Sequence, residues 1–181
     1  MLWLLWIIGT LVALIVVCFV VASVIGRSIP ADHRAGATLH LPNVAPDTLF
    51  AIVSDINTHT TWAGVDKLTR LPDEDGRELW RQQMGRNAFT LETTERTPPT
   101  RLVRTIADEN KMFSGNWTYE FAGDGSGGTK LTLTETGHVP GAVPRFFMKH
   151  LVGYHLHLTK HLRALAKHMG QPEAKIEQNA L

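Results

Sequence analysis

An acid near the end of a predicted strand, Glu135, is a candidate for proton transfer or for holding a ligand. It follows Leu131 and Leu133 at alternate positions of a predicted strand, so if the leucines point into a core, the carboxylate does too. That direction holds unless Gly137 marks a bulge that turns the strand. A buried acid without a partner has a raised pKa and could donate a proton or anchor a ligand. Alternatively, Glu135 reaches solvent or a partner such as Arg104 at the end of its strand.

The histidines of the last third of the chain are the other candidate proton carriers. His155 falls within an apolar stripe of the predicted C-terminal helix and could face a cavity beside Tyr154, or it is a core histidine with satisfied hydrogen bonds. His157 and His161 have the spacing that can hold a metal on one helix face, but no third ligand and no HExxH pattern accompany them. We therefore predict a polar helix flank there, with no metal site and no cofactor.

Aromatic residues share one face of a predicted strand by alternation: Trp117, Tyr119 and Phe121. One face of the sheet must be the core, so these rings either pack there or stack on a bound ligand. Trp117 and Tyr119 are therefore candidate ligand contacts, with core packing as the alternative.

The middle of the chain has the pattern of an antiparallel sheet. A first strand over 38–41 precedes a helix that Pro46 opens, with Asp47 in its first turn. Further stretches alternate or are rich in β-forming residues, and turns rich in Gly, Pro, Asn and Asp link them: 65–71, 78–84, 88–95, 101–107, 116–121 and 130–136. Short links between successive strands predict a meander.

A long helix is predicted to close the fold, from Pro144 to a stop at Gly170. Its apolar residues fall on one stripe at helical spacing: Phe147, Leu151, Leu158, Leu162, Leu165 and Met169. The stripe must be buried, and the sheet is the surface large enough to receive it. A curved sheet cannot close on a helix at both ends, so a ligand cavity is expected between them. Candidate ligand contacts from the helix are Phe147, Leu151, Tyr154, His155 and Leu158.

The first part of the chain has the composition of a membrane span. Residues 2–25 carry no charge, and a helix of that length reaches about 36 Å, enough to cross a hydrocarbon core of about 30 Å. A cleaved signal peptide is the alternative, but no Lys or Arg precedes the run and no A-x-A site closes it. Arg27 and Arg34 follow closely, so the positive-inside rule predicts a single-pass anchor in the cell membrane with the soluble part in the cytoplasm.

Composition divides the whole chain into four segments. We predict a transmembrane helix over 1–26, a linker over 27–37, one domain over 38–169 and a polar tail over 170–181. The formal net charge is +1 with no basic block, which argues against a nucleic-acid surface. Cys18 is the single cysteine and lies within the span, so no intramolecular disulfide can form.

Several segments occur in an order that resembles a known superfamily: FAIVSDINTHTTWAGV at 50–65, PPTRLV at 98–103, GNWTYEF at 115–121 and GGTKLTLTETG at 127–137. They are similar to SRPBCC proteins of the polyketide cyclase/dehydrase group. The resemblance covers 38–169 and implies an α+β, START-like helix-grip fold, with a curved antiparallel sheet wrapped around a long C-terminal helix. One transmembrane helix precedes it here. Trp62 resembles the family's tryptophan after the first helix, where it either plugs one end of the cavity or contacts the ligand.

Three functions are compatible with these features. The first is a membrane-anchored binding module that holds a hydrophobic small molecule or lipid in the cavity. The second is an enzyme of the polyketide cyclase/dehydrase kind, with proton transfer by Glu135 and His155 or Tyr154. The third is a protein-interaction module whose cavity is filled by side chains. The anchor and a fold that tends to be hollow favour the first, because the sequence contains no assembled catalytic set.

Overall fold

The computed structural model describes residues 2–74, 76–108 and 111–179. It begins with α1 (Leu2–Arg27), whose most apolar stretch has a mean hydropathy of 3.0 and is 0% buried against the rest of the chain. Such a helix is long and apolar enough to cross a membrane. Its apolar side chains need a nonaqueous partner, and within the described residues the domain covers little more than its last turns, at Ala22 and Gly26.

The domain is built on one eight-stranded antiparallel sheet in the order β2-β3-β4-β5-β6-β7-β1-β8. The strands are β1 (Asp32–Leu41), β2 (Lys67–Arg70), β3 (Leu79–Met84), β4 (Asn87–Thr97), β5 (Arg101–Asp108), β6 (Ser114–Gly123), β7 (Thr129–His138) and β8 (Ile176–Asn179). The predicted meander is therefore observed, since successive strands from β2 to β7 are neighbours. The β6–β7 turn closes on the Asp124 carboxylate, which accepts hydrogen bonds from the backbone N–H groups of Ser126 and Gly128.

Two strands differ from the sequence prediction, since β1 is longer than predicted and β8 was not predicted. β1 begins at Asp32 instead of at residue 38, and its added residues Ala35 and Ala37 are fully buried. Alanines carry little apolar signal, so the sequence of this segment predicts a linker. The predicted polar tail includes β8, an edge strand that pairs with β1. Arg163 fixes its approach by donating to the carbonyl oxygens of Pro172 and Ala174, at 2.6 and 2.7 Å.

A short helical layer follows β1, made of α2 (Pro46–Ser54), a 3₁₀ turn (Ile56–Thr58) and α3 (His59–Trp62). Pro46 stands at the start of α2, as predicted, where a missing N–H costs nothing. Leu49, Phe50 and Val53 are its buried residues, and the Phe50 ring packs edge-on against Phe121 of β6 at 5.3 Å. This contact holds α2 against one end of the sheet.

The C-terminal helical segment is broken into three pieces: α4 (Ala142–Phe147), one π-helical turn (Met148–Val152) and α5 (His155–His168). Gly153 separates the turn from α5 with a φ of +80°, a conformation that favours glycine and ends the helix. Only α5 presents a fully buried stripe to the sheet, at Leu158, Leu162 and Leu165.

The prediction of one continuous buried stripe is therefore wrong for Phe147 and Leu151, which are exposed. The break redirects α4 away from the sheet core, and α4 packs against the last turn of α1 instead. Gly26 allows that approach, because a Cβ there would lie 1.9 Å from the Ala142 carbonyl oxygen.

Candidate functional site

A cavity of about 580 Å³ lies between the inner face of the sheet and the C-terminal helices. Its size falls within the range of about 300–1,000 Å³ that is typical of small-molecule sites. The side chains of the described residues do not fill it. Strands β3 to β7 supply half of the residues in its wall, and the others come from α3, α4, α5, the π-helical turn and the connecting loops.

The cavity has an apolar end and a polar end. Its apolar end lies at the end of the sheet where β5 finishes and β6 begins. It is lined by Met84, Phe89, Ile106, Met112, Phe113, Val139, Pro144 and Met148. The polar groups lie deeper along the same wall, and they form two clusters around Glu135 and Arg104. A cavity of this kind suits a molecule that is mostly apolar and carries a polar group.

The first cluster surrounds Glu135, which is fully buried. His33 Nε2 lies 2.9 Å from one carboxylate oxygen, while His157 Nε2 at 2.5 Å and Trp117 Nε1 at 2.8 Å contact the other. Burial alone would raise the pKa of Glu135. The hydrogen bonds from His157, His33 and Trp117 and the charge of His157 outweigh burial and lower the pKa to about 2. The carboxylate is therefore ionised and accepts from all three donors.

Strand register explains how this cluster forms. Glu135 of β7 lies opposite Trp117 on β6 and opposite Ala35 on β1, and pairing continues through Gly137 without a shift. Gly137 therefore does not turn the strand, and Glu135 points inward. Gly137 instead makes room for the His33 ring, which a Cβ at Gly137 would approach to 2.3 Å.

The second cluster surrounds Arg104, of which only 1% is exposed. Its Nη1 donates to His59 Nε2 at 2.9 Å, and its Nη2 donates to the Ser54 carbonyl oxygen at 3.0 Å. A guanidinium can only donate, so His59 accepts and is neutral. Burial, and then the charge of Arg104, lower the pKa of His59 to about 3. Burial also lowers the pKa of Arg104 itself.

Tyr119 and His161 connect the two clusters across the cavity wall. The Tyr119 hydroxyl and His161 Nε2 are 3.1 Å apart, and the His161 ring packs edge-on against Trp117 at 4.9 Å. Burial, followed by the charges of His59, Arg104 and His157, lowers the pKa of His161 to about 3. Burial raises the pKa of Tyr119. At neutral pH both groups are therefore neutral, and they share one hydrogen bond.

Among the predicted site residues, Trp117, Tyr119 and Glu135 line the cavity. Trp62 does not, since it packs on His59 and His161, each at 5.0 Å, and donates to Thr58 Oγ1. This placement matches the plugging alternative for Trp62 more closely than ligand contact.

The helix candidates lie outside the cavity wall. Leu158 is part of the core between α5 and the sheet. Tyr154 stacks on His33 at 4.2 Å, and His155 Nε2 lies 3.3 Å from the Asn179 carbonyl oxygen. Phe147 and Leu151 are exposed. Proton-transfer chemistry at Glu135 would therefore involve His157 and not His155.

Sequence reasoning missed His33, His59 and the inward position of His157. It named Arg104 only as a possible partner of Glu135, whereas Arg104 donates to His59 and to the Ser54 carbonyl oxygen. A signal for His33 was present: it has the same parity as Ala35, Ala37 and Leu39, and it becomes an inward residue once β1 is extended to Asp32. His157 and His161 point inward without a metal-type arrangement. No group of three or more His, Cys, Asp or Glu side chains is close enough to hold a metal within residues 2–74, 76–108 and 111–179.

Comparison with known proteins agrees with this geometry. A family model described as polyketide cyclase/dehydrase and lipid transport matches residues 34–170, which is most of the chain. The chain belongs to this family. The match begins inside β1 and ends just after α5, so it leaves α1 outside. No curated protein matches the chain in sequence.

Solved structures with the same fold include enzymes and other proteins. The Zhui aromatase/cyclase from Streptomyces sp. R1128 has a TM-score of 0.64 at 12% identity, over 77% of this chain and 94% of that one. A conserved protein from Geobacillus kaustophilus has a TM-score of 0.58 at 14% identity, over 80% and 99%. An HSP90 activator from Plasmodium falciparum has a TM-score of 0.51 at 20% identity, over 81% and 99%. Identities this low show a shared helix-grip fold alone.

Proposed function

We propose that the protein is a membrane-anchored binding module that holds a hydrophobic small molecule or lipid in the cavity between the sheet and the C-terminal helices. The observation that carries this proposal is the cavity of about 580 Å³ with an apolar end and a few buried polar groups. Membership of a family described as polyketide cyclase/dehydrase and lipid transport supports it. The size and the mixture of groups suit one amphipathic molecule.

Arg104 supports a more specific ligand chemistry. Within the described residues it has no carboxylate partner in hydrogen-bond contact, and its buried Nε has no hydrogen-bond partner. A buried cation without an anion is costly, so a ligand that brings an acceptor would bind favourably beside it. The ligand is therefore proposed to carry a carbonyl, carboxylate or similar oxygen at one end of an apolar body.

The membrane part of the proposal rests on α1. Its length and hydropathy fit a span, and its apolar surface is exposed in the described structure. The cleaved signal peptide stays the alternative, and Arg27 and Arg34 favour a cytoplasmic domain. An N-terminal Met1 peptide in membrane fractions is the expected result. A mature N-terminus near Arg27 would overturn the anchor, and an external C-terminal reporter would overturn only the orientation.

A matched pair of variants on β5 tests the cavity as the binding site. Ile106 lines it, whereas Val103 has the opposite parity on the same strand and points to the other face. Ile106→Trp should fill the apolar end and abolish binding of dansyl-undecanoic acid, measured by energy transfer from tryptophan. Val103→Trp adds the same donor and should bind like the parent. Equal binding by both variants would contradict the proposed site.

A second function, acid–base catalysis on a bound polyketide-like molecule, is favoured by one specific observation. Glu135 and His157 form a 2.5 Å hydrogen bond at the cavity wall, and the His157 side chain is 36% exposed. An ionised carboxylate that orients an accessible imidazole is an arrangement that general acid–base catalysis uses.

Mass measurements of a candidate substrate over time distinguish this function from simple binding. If the protein is an enzyme, Glu135→Gln and His157→Gln should each lower the rate by about 10²–10⁴. His155→Gln is the control, because His155 does not line the cavity. Binding without conversion by the parent would support the carrier alone.

A further inference from the structure

One end of the sheet lies where β1 and β6 begin and β7 ends. The end of α1, α4 and the apolar end of the cavity all meet there. β1 starts at Asp32, with only residues 28–31 between it and the end of α1, and pairs there with His138 at the end of β7. The Val139 N–H donates to the Ala31 carbonyl oxygen at 2.9 Å. Ser114, where β6 begins, also pairs with His138. Any bilayer that holds α1 therefore lies next to this end of the sheet, where the cavity is lined by apolar residues.

The segment 142–152, made of α4 and the π-helical turn, covers this end of the sheet. We call it the flap. The Gly26–Ala142 contact fixes the flap to the last turn of α1, and Arg145 Nη1 donates to the Ile29 carbonyl oxygen at 2.7 Å. Gly26 directly follows the uncharged run 2–25, so this contact lies at the level where a span of that length leaves the hydrocarbon.

The flap has two apolar faces with different surroundings. Pro144 and Met148 line the cavity. Phe147, Leu151 and Val152 are 45%, 67% and 44% exposed, and α5 adds Leu156 close to them in sequence. The cation Lys149 and the polar ring of His150 are exposed between these residues. Exposed apolar side chains with interspersed cations are typical of helices that lie in the headgroup region of a membrane.

We propose that the outer face of the flap lies in the interface of the bilayer that α1 spans, and that the flap is the door through which the apolar ligand passes between bilayer and cavity. This inference rests on the proposed function. The bilayer is the occupant that the structure favours, because α1 carries the flap to its surface. Gly153 gives the flap a joint to α5, where a left-handed residue interrupts the helical hydrogen bonds.

The first experiment locates the flap in the intact chain. Leu151→Cys in a Cys18→Ser background is labelled with nitrobenzoxadiazole and placed in nanodiscs of phosphatidylcholine and phosphatidylglycerol that carry shallow nitroxide lipids. Ser126→Cys is the control. It lies in the β6–β7 turn at the opposite end of the sheet, about 30 Å away along β6. Quenching severalfold stronger at Leu151 is expected. Equal quenching at both positions would overturn the bilayer contact, and a signal at Leu151 that depends only on the number of copies per disc would assign the face to a second copy.

The second experiment tests the door. Phe147→Asp combined with Leu151→Asp should slow uptake of dansyl-undecanoic acid from vesicles about tenfold. Equilibrium binding from detergent should match the parent, since neither residue lines the cavity. Unchanged uptake would overturn the door. A parent that binds no probe at equilibrium overturns the proposed function and the door together, while the quenching experiment decides the bilayer contact independently.

Discussion

The flap and α5 are consecutive segments with the same apolar spacing but opposite surroundings. Leu158, Leu162 and Leu165 of α5 are fully buried against the sheet, whereas Phe147 and Leu151 of the flap are exposed. The difference begins at Gly153, where the helix is interrupted. An apolar stripe therefore identifies a face that needs a partner, and the backbone break decides whether that partner is the sheet or another surface.

The largest expected effect compares stability across this break. Leu158→Ala or Leu162→Ala should lower the free energy of unfolding by about 2–5 kcal/mol, because each removes buried methyl groups and leaves a cavity. Leu151→Ala is the matched control and should cost less than about 0.5 kcal/mol, as expected for an exposed site. Urea unfolding of the full chain in detergent measures all three. A similar loss at Leu151 would mean that the flap is packed as tightly as α5.

The second largest expected effect is a loss of stability at low pH, through the neutral histidines that are buried near α5. His59 and His161 have a pKa of about 3 in the folded protein and an ordinary value of 6.5. Between these values the unfolded chain binds more protons, so stability falls as the pH drops below about 6.5, by up to about 1.4 kcal/mol per pH unit for each histidine. Glu135 acts in the same direction at lower pH, because its stabilisation is lost as the pH falls from 4.5 through about 2.

Unfolding free energies at pH 7, 6 and 5 test this prediction. His161→Gln should remove about half of the histidine contribution to the slope. A slope that is the same in His161→Gln and in the parent would show that His161 is not buried in its neutral form.

The smallest expected effect is at the break itself. Gly153→Ala should destabilise the protein by about 1 kcal/mol, because alanine rarely adopts a φ of +80° even where its methyl group meets no neighbour. Gly123→Ala is the control, since its backbone does not have a positive φ and its Cβ would also be free of contacts. Thermal unfolding compares the two. Equal effects would show that Gly153 is not needed to separate the flap from α5.

Most of the fold was predictable because its signals are local. Alternation and turn residues located β2 to β7 to within a few residues, and Pro46 located the start of α2. β8 and the first half of β1 were not predicted, because short polar or alanine-rich strands are fixed by pairing and not by their own pattern.

The candidate site was less predictable than the fold. The alternation of β6 and β7 placed Trp117, Tyr119 and Glu135 on the cavity wall. Two of the three partners of Glu135, His33 and His157, come from β1 and α5, more than twenty residues away in each direction along the chain, and no local pattern joins them to Glu135. The break at Gly153 also changed which helix residues face inward, so a stripe counted from Pro144 selected Phe147 and Leu151.

Native mass spectrometry of the full chain, extracted from its membrane in mild detergent, tests the central claim most directly. We expect a species heavier than the bare chain by one apolar molecule with a polar head, which is lost in Ile106→Trp and kept in Val103→Trp. A parent that consistently has the mass of the bare chain, and that takes up no dansyl-undecanoic acid, would contradict the claim that the cavity holds a hydrophobic ligand.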